Sequence, residues 1–337
     1  MKQKTMLDSG AYSVYRLGIE IDLDEYIEYC ATCPQVSYFV NLDVIPGVYG
    51  NPASINGTEI ERCSQASWNN YRKMIKTLPI EKVIPVFHQG DEVEWLKRYI
   101  KFGTPYIGLS PDKNLSIAKR MKWMRGLQGI ISDNGKPIVK THIFGTTFPS
   151  FLFAFECYSV DSTLWLRHAA YGKLLVPRSK GGKYDYSLSP FSLAVSKQSP
   201  DIKRKGASID NVRGKERKYF LDYIESLGVP LGESDIVKVK SLDYELKDNE
   251  EWLNKKKLQI LRKKVLGLTN YYVSRHLANV RYTNALQKNS WVRRIYFAGA
   301  SSTKEEVLRE IKSYFYAFSE YKQKGNGNGS RKKRSSG

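Results

Sequence analysis

Three aspartates that each close a short apolar run carry the most chemical part of this sequence. Met6-Leu7-Asp8-Ser9-Gly10 ends the first run, and Tyr158-Ser159-Val160-Asp161-Ser162 repeats its grammar much later. Between them, Tyr38-Phe39-Val40-Asn41-Leu42 runs into Asp43. Carboxylates held close together can divide the roles of nucleophile and general acid/base at a sugar C1′ carbon. Asp8 and Asp161 are the natural pair for that work, and Asp43 would serve as a recognition acid accepting hydrogen bonds from a base edge. Each acid taken alone could equally cap the helix that follows it. The residues leave both readings open. His88, beside Gln89, reads first as a structural hydrogen-bonding group.

Short apolar runs and longer helical patterns alternate through the first 178 residues. The runs are 5–7, 38–42, 83–87, 106–109, 139–144 and 158–160, and helices are expected at 22–31, 59–78, 91–101, 114–127 and 148–156. Alternation of this kind predicts parallel βα units. The runs end on Asp8-Ser9-Gly10, Asp43, His88-Gln89-Gly90, Gly108, Gly145 and Asp161, as strands do at the mouth of a (β/α)8 barrel. An open doubly wound sheet would gather ligands at the same ends. No G-x-G-x-x-G or P-loop follows the first run, which removes the support for a nucleotide cofactor. Only six units are clear, and 172–177 and 190–196 would supply further short strands.

The chain has 337 residues and a net charge of +20. Residues 1–170 hold 19 Lys+Arg against 17 Asp+Glu, whereas residues 171–337 hold 35 against 17. A basic back half suits a polyanion, most commonly nucleic acid. Lys203, Arg204 and Lys205 open that region, a helical stretch is expected over 249–288, and Arg275, Arg281, Arg293 and Arg294 interleave with Tyr271, Tyr272, Tyr282, Trp291 and Tyr296. Such a mixture fits phosphate contacts and base stacking, although the tyrosines read equally well as core. Gly325 to Ser330 reads as a disordered linker to Arg331-Lys332-Lys333-Arg334. Four cysteines are too few and too scattered for a disulfide framework. With no 18-residue apolar run and no signal-peptide pattern, a soluble cytoplasmic protein without membrane contact is expected, in a host cytoplasm if the gene is a phage's.

These motifs, in their order from Asp8 to Gly172, resemble those of the tRNA-guanine transglycosylase superfamily, a (β/α)8 barrel that exchanges guanine for a 7-deazaguanine. Asp8-Ser9-Gly10-Ala11-Tyr12 is similar to the family's D-S-G-G-F, Leu42-Asp43 to its F-D-E with Val44 in place of Glu, and His88-Gln89-Gly90 to its V-Q-G. Ile107-Gly108-Leu109 resembles I-G-G-L, Phe144-Gly145-Thr146 resembles G-V-G, and Asp161 with Arg167-His168-Ala169-Ala170-Tyr171-Gly172 resembles the nucleophile segment. The resemblance implies Asp161 as nucleophile, Asp8 as general acid/base, and a base site built from Ser9, Asp43, Gln89, Gly90, Gly108 and Gly145, with Gly108 letting the base approach the backbone. It assigns nucleic-acid contacts to Arg167 beside the basic residues named above.

The family's tRNA enzymes carry a C-x-C-x2-C zinc site after the nucleophile, and here no cysteine follows Cys157. That departure points to the phage-type deoxypurine-in-DNA protein A branch, with DNA as partner, tRNA as the alternative, a 7-deazaguanine base as substrate, and neither metal nor other cofactor. Family barrels place about two strands ahead of the D-S-G strand, so the expected barrel lacks its first strands. The expected organisation is a barrel over 1–198, a basic and mainly helical nucleic-acid-binding region over 199–320, and a disordered basic tail over 321–337. The competing functions are a glycoside hydrolase using Asp8 and Asp161, and a non-catalytic nucleic-acid-binding relative.

Overall fold

A computed structural model describes residues 4–51 and 55–298. The tail over 321–337 and its Arg331 to Arg334 cluster therefore lie outside the described residues. Contacts divide the chain into two units: one runs to Ser162 and adds Trp291–Tyr296, and the other spans Thr163–Ser290 and resumes at Phe297. The division falls at 162/163 rather than at the expected 198/199. Helix 164–170 packs on helix 272–289, which places it in the second unit.

The first unit is a mixed α/β body with a mostly parallel sheet. Its strands are β1 (Met6–Leu7), β2 (Tyr38–Val40), β3 (Val83–Ile84), β4 (Val86–His88), β5 (Tyr106–Ser110), the small hairpin β6 (Ser132–Asp133) and β7 (Lys136–Pro137), β8 (Lys140–Ile143) and β9 (Ser159–Ser162). Its helices are α1 (Ala11–Leu17), α2 (Leu23–Ala31), α3 (Gly57–Met74), α4 (Val93–Lys101), α5 (Ile117–Ile131) and α6 (Pro149–Leu152). Asp22, Asn56 and Ser116 start α2, α3 and α5 by accepting hydrogen bonds from first-turn N–H groups. Every expected strand and helix of this unit is present, although the segment expected over 148–156 forms only the four-residue α6.

Strands β1, β2 and β3 pair in parallel, as do β4, β5, β8 and β9. Pro85, which has no N–H, separates β3 from β4. The hydrogen bonding nevertheless continues across it: Ile84 O accepts from Asn41 N at 2.8 Å and Pro85 O accepts from Gly108 N at 2.8 Å. Strand order thus follows chain order, and a late strand (Arg294–Phe297) lies beside β9. Met6, Tyr38, Ile84, Tyr106, Tyr158 and Tyr296 meet in one apolar cluster, so the strands at both ends of that order share a layer. Two residues on from Met6 and Tyr106 come Asp8 and Gly108, and strand register aligns Gly108 with His142 and His142 with Ser159.

In the second unit, α7 (Leu164–Ala170) leads to β10 (Lys173–Val176), the hairpin β11 (Arg178–Lys180) and β12 (Lys183–Asp185), and β13 (Phe191–Ala194). The 172–177 and 190–196 segments are strands, as expected, but they pair antiparallel with each other in a two-stranded sheet of their own. Helix α8 (Gly214–Leu227), the antiparallel sheet of β14 (Glu233–Lys238), β15 (Glu250–Asn254) and β16 (Gln259–Val265), and α9 (Tyr272–Asn289) follow, with β17 (Arg294–Phe297) last. A core of Leu174, Leu193, Phe220, Ile224 and Leu277 holds β10, β13, α8 and α9 together. Buried Asn279 receives the Leu175 N–H and donates to the carbonyls of Trp165 and Lys173, which ties α9 to α7 and β10.

The helix expected over 249–288 is therefore half wrong. Residues 250–265 form a hairpin because Asn254 accepts the Lys257 N–H and Leu258 takes φ +50°, a turn that no helix can pass through. Across this sheet Arg262, Lys263 and Lys264 pair with Glu250, Glu251 and Asp235, so much of its positive charge is matched. No helix among the described residues is long and apolar enough to cross a membrane.

Candidate active site

All three aspartates leave helix capping to other residues. Helix α1 begins at Gly10 and α7 at Thr163, neither of which makes a side-chain cap hydrogen bond, and α3 is capped by Asn56. The carboxylates are spent inside one unit. Asp161 projects from β9, where Oδ1 accepts the Gly145 N–H at 2.5 Å and faces His142 Nε2 at 3.3 Å. Gly145 holds φ +60°, a left-handed turn that aims this N–H, and a Cβ there would stand 3.0 Å from Lys113 Cε. Asp161 Oδ1 thus meets two groups, one on each neighbouring segment.

His142 is fully buried. Its Nδ1 lies 2.6 Å from Ser159 Oγ, and Ser159 Oγ is hydrogen-bonded to the Tyr106 hydroxyl. A carboxylate can only accept, so Nε2 carries a hydrogen toward Asp161. Every hydrogen in the chain is then used when Tyr106 donates to Ser159, Ser159 to Nδ1 and Nε2 to Asp161. Register explains the arrangement: β8 places His142 opposite Ser159, and period two puts Asp161 on the same face.

Asp8 follows β1, and its carboxylate accepts the Ser9 N–H at 3.0 Å. It keeps a face open to water, yet the surrounding protein pushes its pKa above the ordinary carboxylate value. The negative charges of Asp43 and Asp161 add to that rise, whereas the Ser9 N–H and His142 oppose it. The charges of Asp43 and Asp161 are thus felt at Asp8, which is biased toward holding a proton. Asp43 is buried, and its Oδ2 lies 2.9 Å from His88 Nε2.

The remaining expected base-site residues divide by role. Gln89 gives its Oε1 to the Asp112 N–H at 3.1 Å, which directs the other end of the amide away from that backbone. Gly90, at φ +128°, reverses the chain so that Asp91 returns to accept the His88 N–H at 2.8 Å. Ser9 is buried and its Oγ accepts the Ala11 N–H at 3.3 Å. Gly108 corrects an expectation: a Cβ there would stand 2.4 Å from the Phe144 ring. Its smallness makes room for Phe144, which stacks edge-on against His142 at 4.4 Å. Sequence reading passed over His142, Ser159, Tyr106 and Asp91. Inward-facing His142 and Ser159 on neighbouring apolar strands were the available signal.

The expected nucleic-acid contacts fare unevenly. Arg167, Lys203, Arg204 and Lys205 are exposed on the second unit. Arg275 is buried instead, with its guanidinium donating to the carbonyls of Ala169 and Leu268, and burial lowers its pKa to about 10. That guanidinium holds α9 to its neighbours and is withdrawn from any phosphate. Arg281 is half-buried near Gly228. Arg293, exposed, lies 3.9 Å from Glu156, and Arg294 packs over the Tyr296 ring. Tyr282 is core, whereas Trp291 is 65% exposed. No group of three His, Cys, Asp or Glu among the described residues is placed to hold a metal ion. Compared with protein-family models, the chain matches none, and it matches no curated protein.

Proposed function

We propose that this protein is a transglycosylase that replaces guanine in DNA by a 7-deazaguanine base through a covalent intermediate on Asp161. The observation that carries the reading is the division of labour among three carboxylates at the strand ends of one parallel sheet. One has a single oxygen pinned and the other turned out, one is biased toward protonation, and one is buried on a histidine. Such divergence between neighbouring acids is how a site separates nucleophile, proton donor and recognition group.

In this scheme Asp161 Oδ2 bonds to C1′ as the C1′–N9 bond of guanosine breaks and Asp8 gives its proton to the departing base. The incoming 7-deazaguanine then returns a proton to Asp8, bonds C1′ through N9 and frees Asp161. Atoms and charges balance without a cofactor. Asp43 and Gln89 hold whichever base is present, and Lys113, near Gly145 and over the Tyr12 ring, is a cation at the same rim. The target base leaves the stack at a cost of about a few kcal/mol. Exposed Lys203, Arg204 and Lys205 supply phosphate contacts that offset it.

The fold that goes with this function is a (β/α) barrel in which β17 lies next to β9. The shared layer from Met6 to Tyr296 supports it. The absence of a cysteine triad after Asp161 favours DNA over tRNA. Incubating the protein with labelled guanine and either guanine-containing DNA or tRNA tests the reading. Label entering DNA supports it, label entering tRNA alone moves the substrate, and binding without exchange identifies a non-catalytic relative.

A further inference from the structure

Two groups beside the acids have no part in the exchange steps, His88 and Asp91. His88 bridges them: Nε2 lies 2.9 Å from Asp43 Oδ2, and Nδ1 lies 3.8 Å from Asp91 Oδ2. That Asp91 oxygen also accepts the backbone N–H of His88 at 2.8 Å, which fixes the turn at Gly90 and holds Asp91 beside the ring. The ring and both carboxylates are largely withdrawn from water, with side-chain exposures of 14%, 6% and 7%. Burial opposes charging the imidazole, but the hydrogen bond and charge of Asp43, with Asp91 added, outweigh it and hold His88 above its ordinary pKa. Burial pushes Asp91 up, opposed by His88. The other ionisable groups around this cluster are Cys63 on α3, Tyr99 on α4, Tyr26 on α2 and Asp8. Burial raises Cys63 to about 11 and keeps both tyrosines neutral. Arg62 acts on Cys63 and Arg98 on Tyr99, and among the described residues His88 is the cationic group against Asp43 and Asp91.

We propose that His88 is a positioning and specificity-determining residue that fixes Asp43 as an acceptor for heterocycles with two adjacent N–H donors, and excludes those that alternate donor and acceptor. This rests on the base-exchange reading. Guanine and its 7-deaza relatives present a ring N–H beside an exocyclic NH2, which a carboxylate accepts with both oxygens. Adenine presents an NH2 beside a bare ring nitrogen, which an ionised carboxylate repels. A protonated Asp43 would match adenine instead, as donor and acceptor together. His88 Nε2, 2.9 Å from Asp43 Oδ2, holds that oxygen as an acceptor, so His88 guards the choice between the two bases.

Equilibrium dialysis of the full chain with labelled guanine and labelled adenine tests this, using wild type, His88→Leu and His88→Gln. Wild type favours guanine. H88L loses about tenfold in guanine affinity and gains adenine affinity, so the ratio collapses. H88Q retains an N–H donor to Asp43 without the charge. It keeps guanine binding near neutral pH, but its preference fades at a higher pH than in wild type as the solution is acidified. The cation is present below the raised pKa of His88, so wild type holds its preference on that side. An H88L protein that separates the bases as well as wild type, with an unchanged circular dichroism spectrum, would overturn the inference. Wild type that binds neither base overturns the base-exchange reading and takes this inference with it.

Discussion

Two aspartates of this site each lean on a histidine, and the two pairs are wired differently. His142 faces Asp161 with Ser159 and Tyr106 behind it, a line of uncharged groups running down β8, β9 and β5 into the tyrosine layer. His88 faces Asp43 with a second carboxylate, Asp91, behind it. The first wiring directs a hydrogen at one oxygen of Asp161 and leaves the other free, as suits a nucleophile that must leave again. The second places a cation beside Asp43, which suits an acid that should only recognise. Under the proposed function, the same residue pair would serve chemistry in one place and selection in the other, and the group behind the histidine sets the difference.

The largest effect is expected where both pairs converge, at Asp8. Asp8→Asn should slow base release by on the order of 10²–10⁴-fold in single-turnover assays. Because the surrounding protein and its acidic neighbours raise the Asp8 pKa, the proton-donating form is lost as pH rises through that value. The wild-type release rate should fall along that limb, and the limb should vanish in D8N. Ionised Asp8 also weighs against the fold above its raised pKa and ceases to do so below the unfolded value, so D8N should melt no lower than wild type at neutral pH.

His142→Leu comes next. A nucleophile held by one donor fewer should react on the order of 10–100-fold more slowly while guanine affinity stays unchanged. His88→Leu should do the reverse, and matching profiles for the two variants would erase the comparison. Tyr106→Phe removes only the far end of the relay. It should lower the single-turnover rate about fivefold, equivalent to about 1 kcal/mol for one hydrogen bond. An unaffected Y106F would show that the line stops at Ser159.

Strand-ending acids were readable from their place after apolar runs, but only the structure shows that none of them caps the helix that follows it. Strand-helix alternation through residue 162 was equally plain, with Asp22, Asn56 and Ser116 capping three of the helices. What stayed hidden depends on register. Only the pairing of His142 with Ser159 shows that these residues meet Asp161, and only the turn at Gly90 returns Asp91 to His88. The basic half misled for a different reason. Composition counts charges but cannot see that Arg262, Lys263 and Lys264 face acids across a ladder, or that Arg275 is spent on carbonyls. Lys203→Ala, Arg204→Ala and Lys205→Ala should each reduce the salt dependence of DNA binding by up to about 0.9 in slope. Arg275→Ala should instead lower the melting temperature.

Asp161 is the centre of the account, and its covalent role can be seen directly. Wild-type protein incubated with guanine-containing DNA and then denatured should run as a protein–DNA adduct, and Asp161→Asn, with the same folded spectrum, should give none. An adduct that persists in D161N would place the nucleophile elsewhere and contradict the role assigned to the free Oδ2.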